Sequence, residues 1–172
     1  MEDRREDFEL IVLELRRAGF AGRCERVETE KEYLSQLLVR PAIILADYVL
    51  PAFGALGALK LLQETELGIP LIVLTGAVSE ELVVECMKRG AADYLLKDRL
   101  TRLGPAVTGA LEETKLRRQK QKTEAAFGKW SERFQRLVET TNVIPWEFDR
   151  ETARFTYAGP QAVTLLGYPL ED

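Results

Sequence analysis

Hydrophobic residues follow two alternating patterns in the first hundred positions of the chain. Apolar residues spaced three or four apart predict helices that begin near Phe8, Thr29, Gly54 and Ser79. A short polar–apolar alternation over residues 23–27 predicts an edge strand. Continuous apolar runs, which are typical of strands buried on both faces, occupy residues 42–46, 70–75 and 93–97. Strands that alternate with helices predict an α/β fold with a parallel sheet.

The rest of the chain is predicted to be one long helix followed by a hairpin. Helical spacing runs from Pro105 to about Thr141, and its middle third is nearly all polar or charged. That polarity is unlike a helix packed on a single core, so we expect a connecting helix that forms a weak dimeric coiled coil. Alternation over residues 146–149 and 153–157 then predicts a β-hairpin, followed by a short helix over residues 161–166.

Composition restricts the class of protein. Of 172 residues, 46% are hydrophobic and 30% are charged, which is typical of a folded chain rather than a disordered one. The apolar runs are far shorter than the roughly 20 residues that cross a bilayer. Residues 1–7 are charged where a signal peptide would be apolar. Two cysteines cannot form a disulfide framework, so we expect a cytoplasmic protein with no membrane partner.

Two further features of the composition exclude classes of site. The chain has no histidine, which removes histidine triads, histidine metal sites and phosphohistidine chemistry within these residues. Residues 101–130 are basic, with seven Lys or Arg against three Asp or Glu. The most basic stretch, residues 115–122, has no aromatic side chain on which a base could stack. We therefore expect no nucleic-acid partner.

Polar side chains end each of the three apolar runs. Asp47, Thr75 and Lys97 follow successive strands, and the carboxyl ends of parallel strands meet at one edge of the sheet. Glu2 and Asp3 precede the first helix and add two more carboxylates. Clustered carboxylates suit Mg²⁺, one carboxylate can act as a nucleophile, and a lysine and a hydroxyl can bind phosphoryl oxygens. The set predicts phosphoryl chemistry.

These residues resemble the receiver domain of bacterial two-component response regulators. The matching motifs are Asp47-Tyr48-Val49-Leu50-Pro51, Thr75-Gly76 and Lys97, and the resemblance covers residues 1 to about 111. It implies a flavodoxin-like, doubly wound parallel sheet. It also implies that the partner is a phosphohistidine-bearing sensor kinase or phosphotransfer protein.

The resemblance implies a role for each site residue. Asp47 is the phosphoacceptor, and Mg²⁺ is held by Glu2, Asp3, Asp47 and the backbone carbonyl of Val49. Thr75 and Lys97 sense the phosphoryl group, and Tyr94 is the aromatic residue that turns inward as the threonine moves. For Tyr94 an ordinary half-buried strand aromatic is an equal alternative.

The sequence departs from the family pattern at three places. Asp98 replaces a proline that often follows the lysine, and Gly54-Ala55 replaces an Asp-Gly turn. The family also has an apolar strand that ends in the acidic pair, and that strand is central in the usual strand order. In this sequence the acidic pair is Glu2 and Asp3, so the residues that would form that strand are not part of it. We therefore expect a four-stranded parallel sheet with a gap or rearrangement at the position of the first strand.

Residues 131–172 resemble the opening of a PAS sensory domain. The matching features are the helix motif at residues 134–139, the hairpin after Pro145, and Leu165-Leu166-Gly167-Tyr168. The expected domains are thus a receiver at residues 1–104, a connecting helix at 105–141 and a partial α+β PAS domain at 142–172.

Three functions remain open at this point. The first is a phosphorelay module in which phosphorylation of Asp47 is relayed through the long helix to the PAS part, with a homodimer formed through residues 105–141. The second is a receiver-like dimerisation scaffold that is never phosphorylated. An enzyme is disfavoured because no strand is followed by a glycine-rich phosphate loop. No kinase or cyclase domain is expected within the chain, although the parent protein could be a hybrid histidine kinase.

Overall fold

The computed structural model describes residues 1–51, 53–76, 79–140, 144–159 and 161–167. These residues form two units, Met1–Arg118 and Gln119–Asp172. The first unit contains helices α1 (Arg5–Arg17), α2 (Glu30–Leu38), α3 (Ala55–Glu64) and α4 (Glu80–Lys88) and strands β1 (Ile44–Asp47), β2 (Leu71–Thr75) and β3 (Asp93–Leu96). The alternation of helices and strands is as the sequence predicts.

Two of these helices begin at side-chain caps that the sequence shows. Thr29 accepts a hydrogen bond from the backbone N–H of Glu32, and the Glu32 carboxylate accepts one from the backbone N–H of Thr29. Ser79 accepts a hydrogen bond from the backbone N–H of Leu82 at the start of α4. Such caps satisfy N–H groups that have no partner within the helix.

The sheet of the first unit is parallel, with strand order β1-β2-β3. Ile44 pairs with Leu71 and Asp47 with Leu74, whereas Ile72 pairs with Asp93 and Thr75 with Leu96. Helices cover both faces. One buried cluster joins β1 and β2 to α2, α3 and α4, and the other joins β2 and β3 to α1 and to the start of a long helix. The fold is therefore doubly wound, as expected.

The expectation of a fourth strand is wrong for the described residues. Residues 23–27 have no strand ladder, although the backbone carbonyl of Val27 accepts a hydrogen bond from the Glu2 N–H at 3.2 Å. A cavity of about 520 Å³ lies between this segment and β1, lined by apolar side chains that include Ile11, Leu15, Leu37 and Leu45. Residues 23–27 do not pair with β1 across this cavity and form no strand.

Met1 and Glu2 bridge this cavity at one end. The Met1 amino group donates to the Leu45 carbonyl, and the Met1 carbonyl accepts from the Asp47 N–H at 3.1 Å. These bonds have the pattern of a parallel strand pair that continues for one residue only. The gap expected beside β1 is thus present, and we call it the β1 groove.

After β3, short 3₁₀ turns over Lys97–Arg102 lead into helix α5 (Leu103–Thr140). In the first unit α5 buries Leu103, Val107, Ala110 and Thr114. The second unit contains the strands β4 (Trp146–Asp149) and β5 (Arg154–Ala158), which pair antiparallel, and helix α6 (Gln161–Leu166). The predicted hairpin and short helix are confirmed, whereas Tyr168 lies outside the described residues. Within the described ranges, no helix combines the length and apolarity needed to span a membrane.

Candidate functional site

The ammonium group of Lys97 lies at the centre of the candidate site. Its Nζ donates to Asp47 Oδ2 at 2.6 Å, to Glu2 Oε2 at 2.7 Å and to Asp7 Oδ2 at 2.9 Å. An ammonium has three donors, so these carboxylates use all of them. The sheet explains the meeting of Asp47 and Lys97, because β1 ends at Asp47 and β3 ends one residue before Lys97. Parallel strands bring both ends to one edge.

Asp47 is nearly buried and is held on both of its oxygens. The residue is 8% exposed, and while Oδ2 faces Lys97, Oδ1 accepts a hydrogen bond from the Val49 N–H at 3.2 Å. Val49 therefore lies beside the carboxylate, as the sequence predicts, and the ligand role of its carbonyl stays a prediction. The loop after β1 returns close to itself: a Cβ at Gly54 would lie 2.7 Å from the Tyr48 carbonyl oxygen, so only glycine fits there.

The acidic pair at the start of the chain reaches the same edge. Glu2 is 2% exposed, and its second oxygen accepts from the Arg4 N–H at 3.3 Å. Asp3 is exposed, and its backbone carbonyl accepts a hydrogen bond from Arg26. The Met1 and Glu2 backbone bonds to β1 and Val27 fix this short segment, so both carboxylates face Asp47.

Thr75 and Tyr94 lie where the sequence places them, on neighbouring strands. Thr75 is the last residue of β2, is 3% exposed and pairs with Leu96, the residue before Lys97. Tyr94 lies within β3 opposite Val73 and is half-buried against the cluster on the α2–α4 face. This placement fits both interpretations of Tyr94, and its switching role stays a prediction.

Asp7 is the site residue that the sequence does not reveal. It belongs to the first turn of α1, where an acidic residue is ordinarily explained by the helix dipole. The pattern of strand ends carries no signal for it, because its contact with Lys97 depends on how α1 packs against the sheet. The side chain is 24% exposed, and a guanidinium nitrogen of Arg4 lies 3.9 Å from the carboxylate.

Burial and hydrogen bonding shift the pKa values of three groups in the site, raising two of them and lowering one. Burial raises the pKa of Glu2, although the hydrogen bond from Lys97 opposes that change. The hydrogen bond from Lys97 lowers the pKa of Asp7. Burial disfavours the charged form of Lys97, but its bonds to Asp47, Glu2 and Asp7 outweigh burial and raise its pKa. Lys97 is therefore a permanent cation at neutral pH.

The donor set fits a divalent cation. Glu2, Asp3 and Asp47 each offer one carboxylate oxygen, and these three oxygens lie within 4.8 Å of one another. Hard oxygen donors of this kind are those that Mg²⁺ prefers, and two of the three residues are buried. Asp7 is not a member of this group.

The chain resembles known proteins over its first two thirds. The family model described as the response regulator receiver domain matches residues 1–107. The methanogenesis regulatory protein FilR1 of Methanothrix harundinacea is 41% identical over 92 residues, which cover 52% of this chain and 20% of that protein. The DNA-binding transcriptional regulator NtrC of Salmonella typhimurium is 31% identical over 87 residues, covering 50% of this chain and 19% of that protein. The chain thus spans about a fifth of the length of these relatives.

Solved structures have the same fold. The structure titled FixJ-N is 27% identical, with a TM-score of 0.57, and the match covers 64% of this chain and 88% of that one. The signal receiver domain of a signal transduction histidine kinase from Syntrophus aciditrophicus is 25% identical, with a TM-score of 0.56, covering 66% and 87%. The strand-end cluster, the doubly wound sheet and the family match agree: the chain belongs to the response regulator receiver domain family of two-component systems.

Proposed function

We propose that this receiver accepts a phosphoryl group on Asp47 from the phosphohistidine of a sensor kinase or phosphotransfer protein. The observation that carries the proposal is the contact of Asp47 Oδ2 with Lys97 Nζ at 2.6 Å, at an edge that also presents Glu2 and Thr75. A nearly buried carboxylate beside a fixed cation can act as a nucleophile and then have its new charge balanced in place.

The chemistry needs few groups from the protein. A carboxylate oxygen of Asp47 forms a bond to phosphorus as the phosphorus–nitrogen bond of the donor breaks, and the electron pair stays on the imidazole nitrogen. Lys97 donates to a phosphoryl oxygen, and the Thr75 hydroxyl is the second donor that we assign to it. Glu2, Asp3 and Asp47 would hold Mg²⁺, with the Val49 carbonyl as a further ligand. Bound there, the ion supplies charge neutralisation for the phosphoryl oxygens.

The test is labelling of the 172-residue chain with a small phosphodonor, such as acetyl phosphate, in the presence of Mg²⁺. We expect the intact mass to rise by one phosphoryl group in the wild type and in Asp98→Asn, which removes an exposed carboxylate next to Lys97. We expect no increase in Asp47→Asn. Equal labelling of Asp47→Asn and the wild type would overturn the assignment.

The proposed output is a change relayed through α5 to a PAS sensory domain that begins in the second unit. Support comes from the continuity of α5 over Leu103–Thr140 and from the β4–β5 hairpin that follows it. Hydrogen exchange of the chain before and after phosphorylation should show altered protection in residues 119–140. Unaltered protection there would contradict the relay.

A second candidate function, a homodimer formed through α5, has its own observation. Phe127, Trp130, Phe134 and Leu137 are spaced three, four and three residues apart, as in the seam of a coiled coil, and each is about half exposed or more. The Trp130 and Phe134 rings stack with their centroids 5.3 Å apart. Sedimentation should show a dimer that Trp130→Lys disrupts, while Lys129→Ala at the exposed neighbouring position leaves it intact. If the wild type takes no label while the dimer persists, the unphosphorylated scaffold is the better function.

We further propose that the module is cytoplasmic, non-catalytic and without a nucleic-acid surface of its own. The support for the cytoplasm is that two cysteines cannot form a disulfide framework. The support for the other two points is the absence of histidine and of aromatic residues in the basic stretch at residues 115–122. An electrophoretic mobility assay with duplex DNA, which should show no shift at moderate salt, tests the last of these points.

A further inference from the structure

Three carboxylates surround Lys97, and one of them lies outside the candidate metal group. Glu2 and Asp47 belong both to the ligands of Lys97 and to the carboxylates grouped within 4.8 Å, whereas Asp7 belongs only to the ligands of Lys97. We propose that Asp7 is a positioning residue that holds the Lys97 ammonium when Glu2 and Asp47 turn their oxygens to a divalent cation. The inference rests on the proposed function and names how that site accommodates its cation.

Lys97 and a divalent cation would compete for the same two carboxylates. Lys97 Nζ lies 2.6 Å from Asp47 Oδ2 and 2.7 Å from Glu2 Oε2, so the ammonium is bound to one oxygen of each of two carboxylates in the candidate metal group. Like charges cannot share them in a poorly solvated site without a cost. A cation that binds there competes with Lys97 for two of its three hydrogen-bond partners. Asp7, at 2.9 Å, is the partner that remains.

The position of Asp7 suits this task. It lies on the first turn of α1, a helix that is anchored to the sheet by the buried side chains Ile11 and Leu15. The carboxylate is therefore presented from a rigid element, and it is partly solvated, at 24% exposure of the side chain. The Lys97 side chain is only 19% exposed, so water can replace few of its hydrogen bonds. Without Asp7, the ammonium would therefore depend on Glu2 and Asp47 as partners.

Without the Asp7 carboxylate, the Lys97 ammonium should bind Glu2 and Asp47 more strongly and compete better with a cation for these carboxylates. We expect Asp7→Asn to weaken Mg²⁺ binding about fivefold, a change in the range of measured couplings between contacting charged residues. Asp7→Glu, which keeps the carboxylate, should recover part of the affinity. Binding is measured by calorimetric titration of the full chain with MgCl₂, which requires no phosphorylation.

Glu6→Gln is the matched control. Glu6 is the preceding residue on the same helical turn, its side chain is 88% exposed, and its recorded ion pair is with Arg4. The control removes the same formal charge near the site without touching Lys97, so it reports the general electrostatic effect alone. We expect Glu6→Gln to change Mg²⁺ affinity less than twofold, because exposed charges are screened.

A double-mutant cycle with Lys97→Met separates positioning from a structural role. If Asp7 acts through the lysine, Asp7→Asn should have no effect on Mg²⁺ affinity beyond that of Glu6→Gln once Lys97 is methionine. Equal effects of Asp7→Asn and Glu6→Gln in the wild type, or an undiminished effect in Lys97→Met, would overturn the inference alone. Failure of the wild type to bind Mg²⁺ at all would overturn the metal part of the proposed function together with it.

Discussion

The sheet of the first unit and the hairpin of the second both contain large apolar side chains, yet these side chains are buried to very different extents. Ile72, Val73 and Leu74 of β2 are fully buried, whereas Trp146 of β4 is 63% exposed and Phe155 of β5 is 67% exposed. The connections explain the contrast. Parallel strands need crossover helices, which cover the faces of the sheet, whereas the β4–β5 turn supplies no cover. Within the described residues, the strands joined by crossover helices are buried and those of the hairpin are exposed.

The largest expected effect on stability tests this contrast in burial directly. Leu74→Ala should lower the free energy of unfolding by about 3 kcal/mol, because the cavity left in a fully buried strand cannot collapse. Phe155→Ala in the hairpin should cost about 1 kcal/mol or less, since the ring loses mainly its edge contacts with Trp146 and Phe148. Urea unfolding followed by far-UV circular dichroism checks both values. Equal costs would contradict the contrast in burial.

A smaller effect should come from the β1 groove, where the described part of the first unit resembles the hairpin in lacking cover. An apolar five-residue strand fused to the amino end of Met1 should raise the free energy of unfolding by about 2 kcal/mol, because buried side chains and new sheet bonds exceed the ordering cost. A Gly-Ser extension of equal length is the control. The same stability for both fusions would show that the groove gains nothing from an apolar strand.

The smallest effect concerns the turn of the hairpin and its pH dependence. Hydrogen bonds from the Thr152 hydroxyl and then from the Glu151 N–H lower the pKa of Asp149. The ionised carboxylate therefore stabilises the turn above the unfolded pKa of about 3.9, and the stabilisation is lost as the pH falls through the lower folded value. Chemical shifts of residues 149–152, followed by NMR, should titrate accordingly. Thr152→Val should raise the pKa of Asp149; an unchanged pKa would contradict the assignment.

Much of the first unit could be predicted from the sequence because its elements follow local rules. The continuous apolar runs located β1, β2 and β3, and the caps Thr29 and Ser79 located two helix starts. The polar residues that end those runs predicted the meeting of Asp47 and Lys97 at one edge. This works because the chain direction in a parallel sheet fixes where every strand ends.

Two features could not be predicted from local rules, because they depend on packing between segments that are distant in the sequence. Residues 23–27 alternate like a strand, but a strand also needs a neighbour at pairing distance, and the β1 groove keeps them from β1. Asp7 looks like an ordinary acidic residue of a first helical turn, and only the packing of α1 on the sheet brings it to Lys97. Local patterns carry no information on either distance.

The ring of three carboxylates around one ammonium has a consequence for how phosphorylation and cation binding affect each other. Glu2, Asp7 and Asp47 together with Lys97 leave two formal negative charges in a space with little solvent to screen them. Phosphorylation of Asp47 would replace its single carboxylate charge with an acyl phosphate that carries about two negative charges at neutral pH, a net gain of about one. A divalent cation carries the charge that cancels the first two. We therefore expect the proposed phosphorylated and cation-bound states to be thermodynamically linked, so that each increases the occupancy of the other.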